Sequence, residues 1–274
     1  MNRLRVVLIL LVFCIFPAIA ENEVKITLVA DLIDNQQKLL PLDLSSRIIL
    51  NLQEQMSKNV NISYERADRT REWLLLNKRP DVCLYNKIKT KARMAQGLYT
   101  KTPMNIFPAN RLVIKKVHDI PQHTSISDAI HQYGLKIGVV AGRSYGEAID
   151  RKIAFEKQNL VIIRGEYGAL RLRSMLMQNK LDGIIEYQEV FVNEIGKEKS
   201  DKSLSYIELS DIPPYILGYF VCSKSEQGKK AIEMLDELLL TKKVRDMIIE
   251  EHEREFASFE KSELLSIYQQ ASGY

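Results

Sequence analysis

Short apolar runs of β type alternate with longer segments of helical period along most of this 274-residue chain. Residues 24–30 (VKITLVA) read as a strand, being short, apolar and rich in β-branched side chains. Residues 45–58 follow, with Ile48, Ile49, Leu52 and Met56 along one helical face. A strand is predicted at 62–64, a helix at 69–76 and a strand at 81–85. The theme repeats with a strand at 111–114, a helix at 127–133 closed by Gly134, and a strand at 136–140 entering Gly142-Arg143-Ser144. A helix at 145–156, a strand at 161–163, a helix at 169–179 and a strand at 183–186 complete this second set. After Pro213-Pro214 comes a strand at 216–222, and from Gln227 the pattern is largely helical. Strands separated by helices predict an α/β fold with mostly parallel sheets. The β-α-β order occurs twice, before and after about Asn110, so two lobes with a cleft between them are expected.

The first twenty residues break the alternation. Arg3 and Arg5 precede an unbroken apolar run at 6–16, and Pro17-Ala18-Ile19-Ala20 ends it with small residues. This is the pattern of a secretory signal peptide cleaved after Ala20, too short to span a membrane. Cys14 is not preceded by the small residue that lipid attachment needs, since Phe13 stands there. The expectation is a mature chain that works outside the cytoplasm. Losing the signal removes two arginines from a formal net charge of +4, which leaves near balance and gives no reason to expect nucleic acid as a partner. No second apolar stretch approaches spanning length, so a soluble mature protein is predicted.

Two cysteines remain, Cys83 and Cys222. An even pair in an oxidising compartment invites a disulfide; two buried thiols that never meet fit the same count. No CxxC or Cys/His cluster is present, and His118, His123, His131 and His252 are scattered among polar residues. Neither a metal site nor a nucleophile–base pair is expected, and no cofactor is implied. Trp73, beside Leu74 and Leu75 in a helical pattern, is read as core.

Several segments carry a family pattern. Pro80-Asp81-Val82-Cys83 leads to Thr90-Lys91-Ala92-Arg93, a T-x-x-R spacing. Tyr99-Thr100-Lys101-Thr102-Pro103 stands for an F-S-x-P segment, with its proline one residue late. Residues 135–144 (LKIGVVAGRS) form a strand-to-helix glycine turn, 179–185 (NKLDGII) a G-x-x-D-A-like segment, and 218–224 (GYFVCSK) a returning strand. In this order the chain resembles the family 3 periplasmic solute-binding proteins, two-lobed type II binders of polar amino acids. The resemblance implies one lobe from residues 21–109 and 216–274 and a second from 110–215. Cys83 and Cys222 then fall in the same lobe, which favours a bridge between them. It also implies a periplasmic monomer that captures a small solute and serves a membrane permease or a membrane sensor.

In family terms Arg93 meets the solute's carboxylate, for which a planar guanidinium is suited by its paired donors. By composition alone Arg93 belongs to a solvated basic run with Lys87, Lys89 and Lys91. Thr90 belongs to the same segment. Ser144 lies where a strand opens into a helix, a place where free N–H groups and the helix dipole favour an anion; the same hydroxyl also suits an N-cap. Arg143 replaces a small hydroxyl residue of the family. Tyr187 stands where the family has the aspartate that holds the ligand's ammonium, with Glu186 just before it. A solute other than a standard amino acid therefore stays open. So do a ligand-sensing accessory protein and a secreted dehydratase-like enzyme, for which Glu186 is the one nameable acid or base.

Overall fold

The computed structural model describes residues 23–273 apart from 42, 58, 211 and 257, and apart from the side chains of 258–260. The expected signal peptide and its cleavage point lie outside the described residues. Strand β1 (Val24–Ala30) is followed by α1 (Leu44–Gln53), β2 (Val60–Arg66), α2 (Arg69–Lys78), β3 (Val82–Lys87), the single turn α3 (Lys91–Met94), β4 (Leu98–Tyr99) and β5 (Asn105–Pro108). The chain then crosses into β6 (Arg111–Lys115), β7 (His123–Thr124), α4 (Ile126–His131), β8 (Ile137–Val140), α5 (Glu147–Phe155), β9 (Val161–Ile163), α6 (Gly168–Met177), β10 (Gly183–Glu186), α7 (Gln188–Ile195), α8 (Lys197–Ser203) and β11 (Leu204–Leu209). It returns along β12 (Tyr215–Cys222) and ends in α9 (Glu226–Leu240), α10 (Lys242–Glu255) and α11 (Ser258–Ala271).

Two sheets result, which gives the two-lobed α/β architecture. The first has the order β2-β1-β3-β12-β4, with β5 also paired to β12; the second runs β7-β11-β6-β10-β8-β9. The expectation of mostly parallel sheets needs correction. β1 pairs in parallel with β2 and β3, and β8 with β9 and β10. However, β12 is antiparallel to β3, β4 and β5, and β6 is antiparallel to β10 and β11. The cause is the crossing: β6 leads away from it while β10 and β11 lead back, and β12 enters the first sheet against β3.

Side chains of β1 alternate between two apolar layers, as the two-residue period of a strand requires. Ile26, Leu28 and Ala30 join the cluster under α1, α9 and α10, while Val29 packs with Trp73, Leu76, Val82 and Val221 on the face covered by α2. Both faces are therefore covered, and each fully buried aliphatic side chain contributes about 1.5–3 kcal/mol. Helix α1 ends at Gln53, short of the expected 58, because Gln55 and Met56 donate to Leu52 and Gln53 in a tighter turn. Cys83 and Cys222, one residue on each of β3 and β12, are joined in a disulfide.

His252 corrects the reading of the histidines as scattered among polar residues. It is 0% exposed, its Nε2 accepts the Ile106 N–H (3.0 Å), and its Nδ1 donates to the Ile248 carbonyl (2.7 Å). It thereby ties α10 to β5, next to the crossing.

Candidate functional site

The carboxyl ends of β1, β3, β8 and β10 meet where the two lobes face each other, the usual location of a site in an α/β protein. Asp68 starts α2 by accepting from the N–H groups of Thr70 and Arg71, which fixes Arg69, Glu72 and Trp73 at the end of β1. Thr90 starts α3 in the same manner, accepting the Arg93 N–H at 3.3 Å. Its hydroxyl therefore acts on the position of Arg93. The Arg93 guanidinium lies over the Trp73 ring (4.9 Å) and donates across the lobe boundary to the Gly142 carbonyl (2.8 Å). Among the described residues it makes no ion pair with a carboxylate, and burial pulls its pKa down.

Gly142 has φ +75, and a Cβ there would sit 2.9 Å from the Arg69 carbonyl carbon and the Thr70 nitrogen. Only glycine lets this turn approach the start of α2 so closely. The lobes also touch elsewhere: Arg66 pairs with Glu166 (3.0 Å), Tyr167 donates its hydroxyl to the Ile33 carbonyl (3.4 Å), and Asn193 donates to Glu255 (2.8 Å). The lobes are thus in contact on either side of the cleft.

On the second lobe, Arg143 holds Glu186 by a two-pronged pair (2.9 and 2.6 Å), and Arg173 adds a contact at 3.3 Å. Burial pushes the Glu186 carboxyl up, but the charge and hydrogen bonds of Arg143, with Arg173 and the Tyr187 N–H, together hold its pKa below the ordinary value. Burial works against the charge on Arg143 too, and Glu186 outweighs it, raising its pKa. The Arg143 guanidinium faces the rings of Tyr145 (4.7 Å) and Tyr187 (5.6 Å), and Tyr187 stacks on Phe107 of β5 at 4.7 Å. Burial raises the Tyr187 phenol to about 12. Arg143, Glu186 and Tyr187 therefore form one buried, charge-compensated unit beside the crossing.

Ser144 does not cap a helix. Helix α5 begins at Glu147, with Gly146 at its N-cap and no side-chain cap bond. The Ser144 hydroxyl donates instead to the carboxylate of Asp150, which also accepts the Tyr145 N–H (2.8 Å).

Asp31, Arg69 and Glu72 were not picked out from the sequence, and Lys87, placed there in a solvated run, is buried. Asp31, at the end of β1, is 4% exposed, and its Oδ1 has no hydrogen-bond partner. Burial raises its pKa, with Arg69 pulling the other way. Glu72, 0% exposed on α2, takes ion pairs from Arg69 (3.3 Å) and from Lys87. Burial lowers the Lys87 pKa to about 8, against the pull of Glu72. The available signal was a glutamate on the same helical stretch as Trp73 and Leu76, both buried. Among the described residues no group of three or more His, Cys, Asp or Glu converges for a metal ion.

No protein-family model matches this chain, and no curated protein sequence does. Solved structures match over most of its length. One, from work on glutathione import through GshT and the cystine ABC importer TcyBC of Streptococcus mutans, has 18% identity and a TM-score of 0.62, covering 84% of this chain and 94% of that one. A putative L-cystine ABC transporter protein from Listeria monocytogenes has 16% identity and a TM-score of 0.62, covering 84% and 95%. A Salmonella typhimurium periplasmic binding protein of high arginine specificity has 14% identity and a TM-score of 0.62, covering 85% and 99%. At these identities the likeness carries the fold, which is that of two-lobed periplasmic binding proteins.

Proposed function

We propose that the chain is a solute-binding protein that closes its two lobes on a small polar, carboxylate-bearing solute and presents it to a membrane importer. The observation that carries this reading is a pair of incompletely partnered charges on the first lobe. Arg93 is a cleft guanidinium with no carboxylate partner among the described residues, and Asp31 is a buried carboxylate with an unpartnered oxygen. A solute with one carboxylate and one cationic group, as in an amino acid, completes both. Asp31 takes the part for which Tyr187 and Glu186 are unsuited, since Glu186 is committed to Arg143 and Arg173. Thr90 acts by positioning Arg93, and Ser144 belongs to the turn that faces it.

The lobes are taken as residues 21–109 with 216–274, and 110–215, turning about the crossings near Asn110 and Tyr215. Closing counts only through contacts that the open form lacks, and Arg93 to the 142–146 turn is such a contact. Binding is favoured over turnover at the residue the sequence offered for acid–base work, because Glu186 is held ionised by two arginines. The structural neighbours are named for binding and import, which supports an ABC importer as partner. No helix among the described residues is long and apolar enough to cross a membrane. The signal-like pattern of residues 1–20 supports a place outside the cytoplasm. Mass spectrometry of the small molecules released on denaturing the purified protein tests the reading. An amino-acid-like carboxylate in near-stoichiometric amount is expected; a bound molecule without any anionic group contradicts it.

A further inference from the structure

Asp150 makes a contact that helix capping does not explain. Capping side chains sit at the N-cap or in the first three helical positions, whereas Asp150 is the fourth residue of α5. Its carboxylate reaches back past the helix start to the Tyr145 N–H (2.8 Å) and the Ser144 hydroxyl, while the Gly146 N–H goes to Ser144 Oγ (3.3 Å). Two donors of the 142–146 turn, the Ser144 hydroxyl and the Tyr145 N–H, are therefore taken by Asp150. Across the lobe boundary this turn receives Arg93, which donates to the Gly142 carbonyl (2.8 Å). Arg93 and Asp150 are not ion-paired, yet each charge acts on the other: Arg93 lowers the Asp150 carboxyl against the upward push of burial. The second lobe thus keeps a carboxylate on the same turn that Arg93 reaches.

Resting on the function proposed above, we infer that Asp150 is an internal stand-in for the solute's carboxylate. It accepts from the Ser144 hydroxyl and the Tyr145 N–H, and a carboxylate solute must displace it to use them. Asp150 is then a specificity-determining residue that weakens binding of anionic groups at this turn.

Two measurements test this on the mature chain, with Asp150→Ala and Asp150→Asn. The second variant keeps an acceptor oxygen for the Tyr145 N–H and covers the case in which alanine unfolds the turn. The first measurement titrates sulfate and follows the backbone amide signals of Ser144, Tyr145 and Gly146. Saturable shifts are expected in the variants and none in the wild type; equal behaviour overturns the inference and leaves Asp150 a turn-closing residue. The second measures affinity for the solute released from the wild-type protein. Each variant is expected to bind it at least about ten-fold tighter, and its methyl ester no tighter than the wild type does. Unchanged or weaker binding of the carboxylate overturns the inference. If wild type and variants alike bind no solute, the solute-binding reading fails and the sulfate titration still decides the role of Asp150.

Discussion

Cys83 and Cys222 stand directly opposite each other on the antiparallel strands β3 and β12, and their disulfide closes a loop of 139 residues. That loop contains every strand of the second sheet. One covalent bond in the first lobe therefore restrains the whole excursion through the second. In the chain-entropy account a loop of this length is worth about 5 kcal/mol. Cys83→Ala/Cys222→Ala is expected to lower the thermal midpoint by about 10–20 °C. Thermal unfolding of oxidised wild type and the double variant checks this; a fall below about 2 °C would show that the bridge carries no appreciable share of the stability.

Arg93 is expected to matter for solute and little for folding. Its contacts within the protein are the Trp73 ring and the Gly142 carbonyl, and no carboxylate is ion-paired with it among the described residues. An exposed cation–ring contact is worth about 0.5–1 kcal/mol, whereas removing one partner of a hydrogen-bonded charge pair at a binding site costs about 2–5 kcal/mol. Arg93→Ala should weaken binding of the co-purifying solute by about 100-fold or more while shifting the solute-free unfolding midpoint by only a few degrees. Calorimetric titration and thermal scans of the same preparations separate the two effects.

The period of apolar positions made most of the strand and helix order legible, because α1, α9 and β1, β3, β8, β10 and β12 each bury a regular stripe or run. The short strands β4, β5 and β7 carry too few residues to show a period. Their existence depends on partners far along the chain, as in Ile106 opposite Leu217. The charged cleft was legible only in part for the same reason. Arg93 could be picked from its local spacing, but Glu186 is matched to Arg143 across 43 positions and Lys87 to Glu72 across 15. Such pairs are set by strand order. Asp31 has no local signature at all; it gains meaning because β1, held between β2 and β3, ends at the cleft.

Glu186 is the shared counter-charge of Arg143 and Arg173, and its side chain is 4% exposed. Removing one member of a buried ion pair costs about 3–5 kcal/mol, since the partner stays buried without compensation. Glu186→Gln should therefore destabilise by about 3 kcal/mol in urea unfolding. Adding Arg143→Met should recover part of the loss, because one stranded cation is then gone. Equal stability of Glu186→Gln and wild type would mean that solvent reaches the pair and screens it.

His252 should give the fold a pH dependence of known sign. Burial lowers its pKa from an ordinary 6.5 to about 4. Between these values the unfolded chain binds the proton and the folded one does not, so folding loses stability as pH falls from about 6.5 to about 4. At one pKa unit per 1.36 kcal/mol the full loss is about 3 kcal/mol. Protonation makes Nε2 a donor, which cannot accept the Ile106 N–H, and the link between α10 and β5 is broken. Other groups titrate in the same range, and Asp31 and Asp150, with raised values, push the opposite way. The contribution of His252 is therefore read as a difference: His252→Gln, whose amide oxygen can still accept from Ile106, should be less stable than wild type at pH 7. The gap between them should narrow steadily toward pH 4.5. A gap that stays constant across that range would place the His252 titration outside the folding equilibrium.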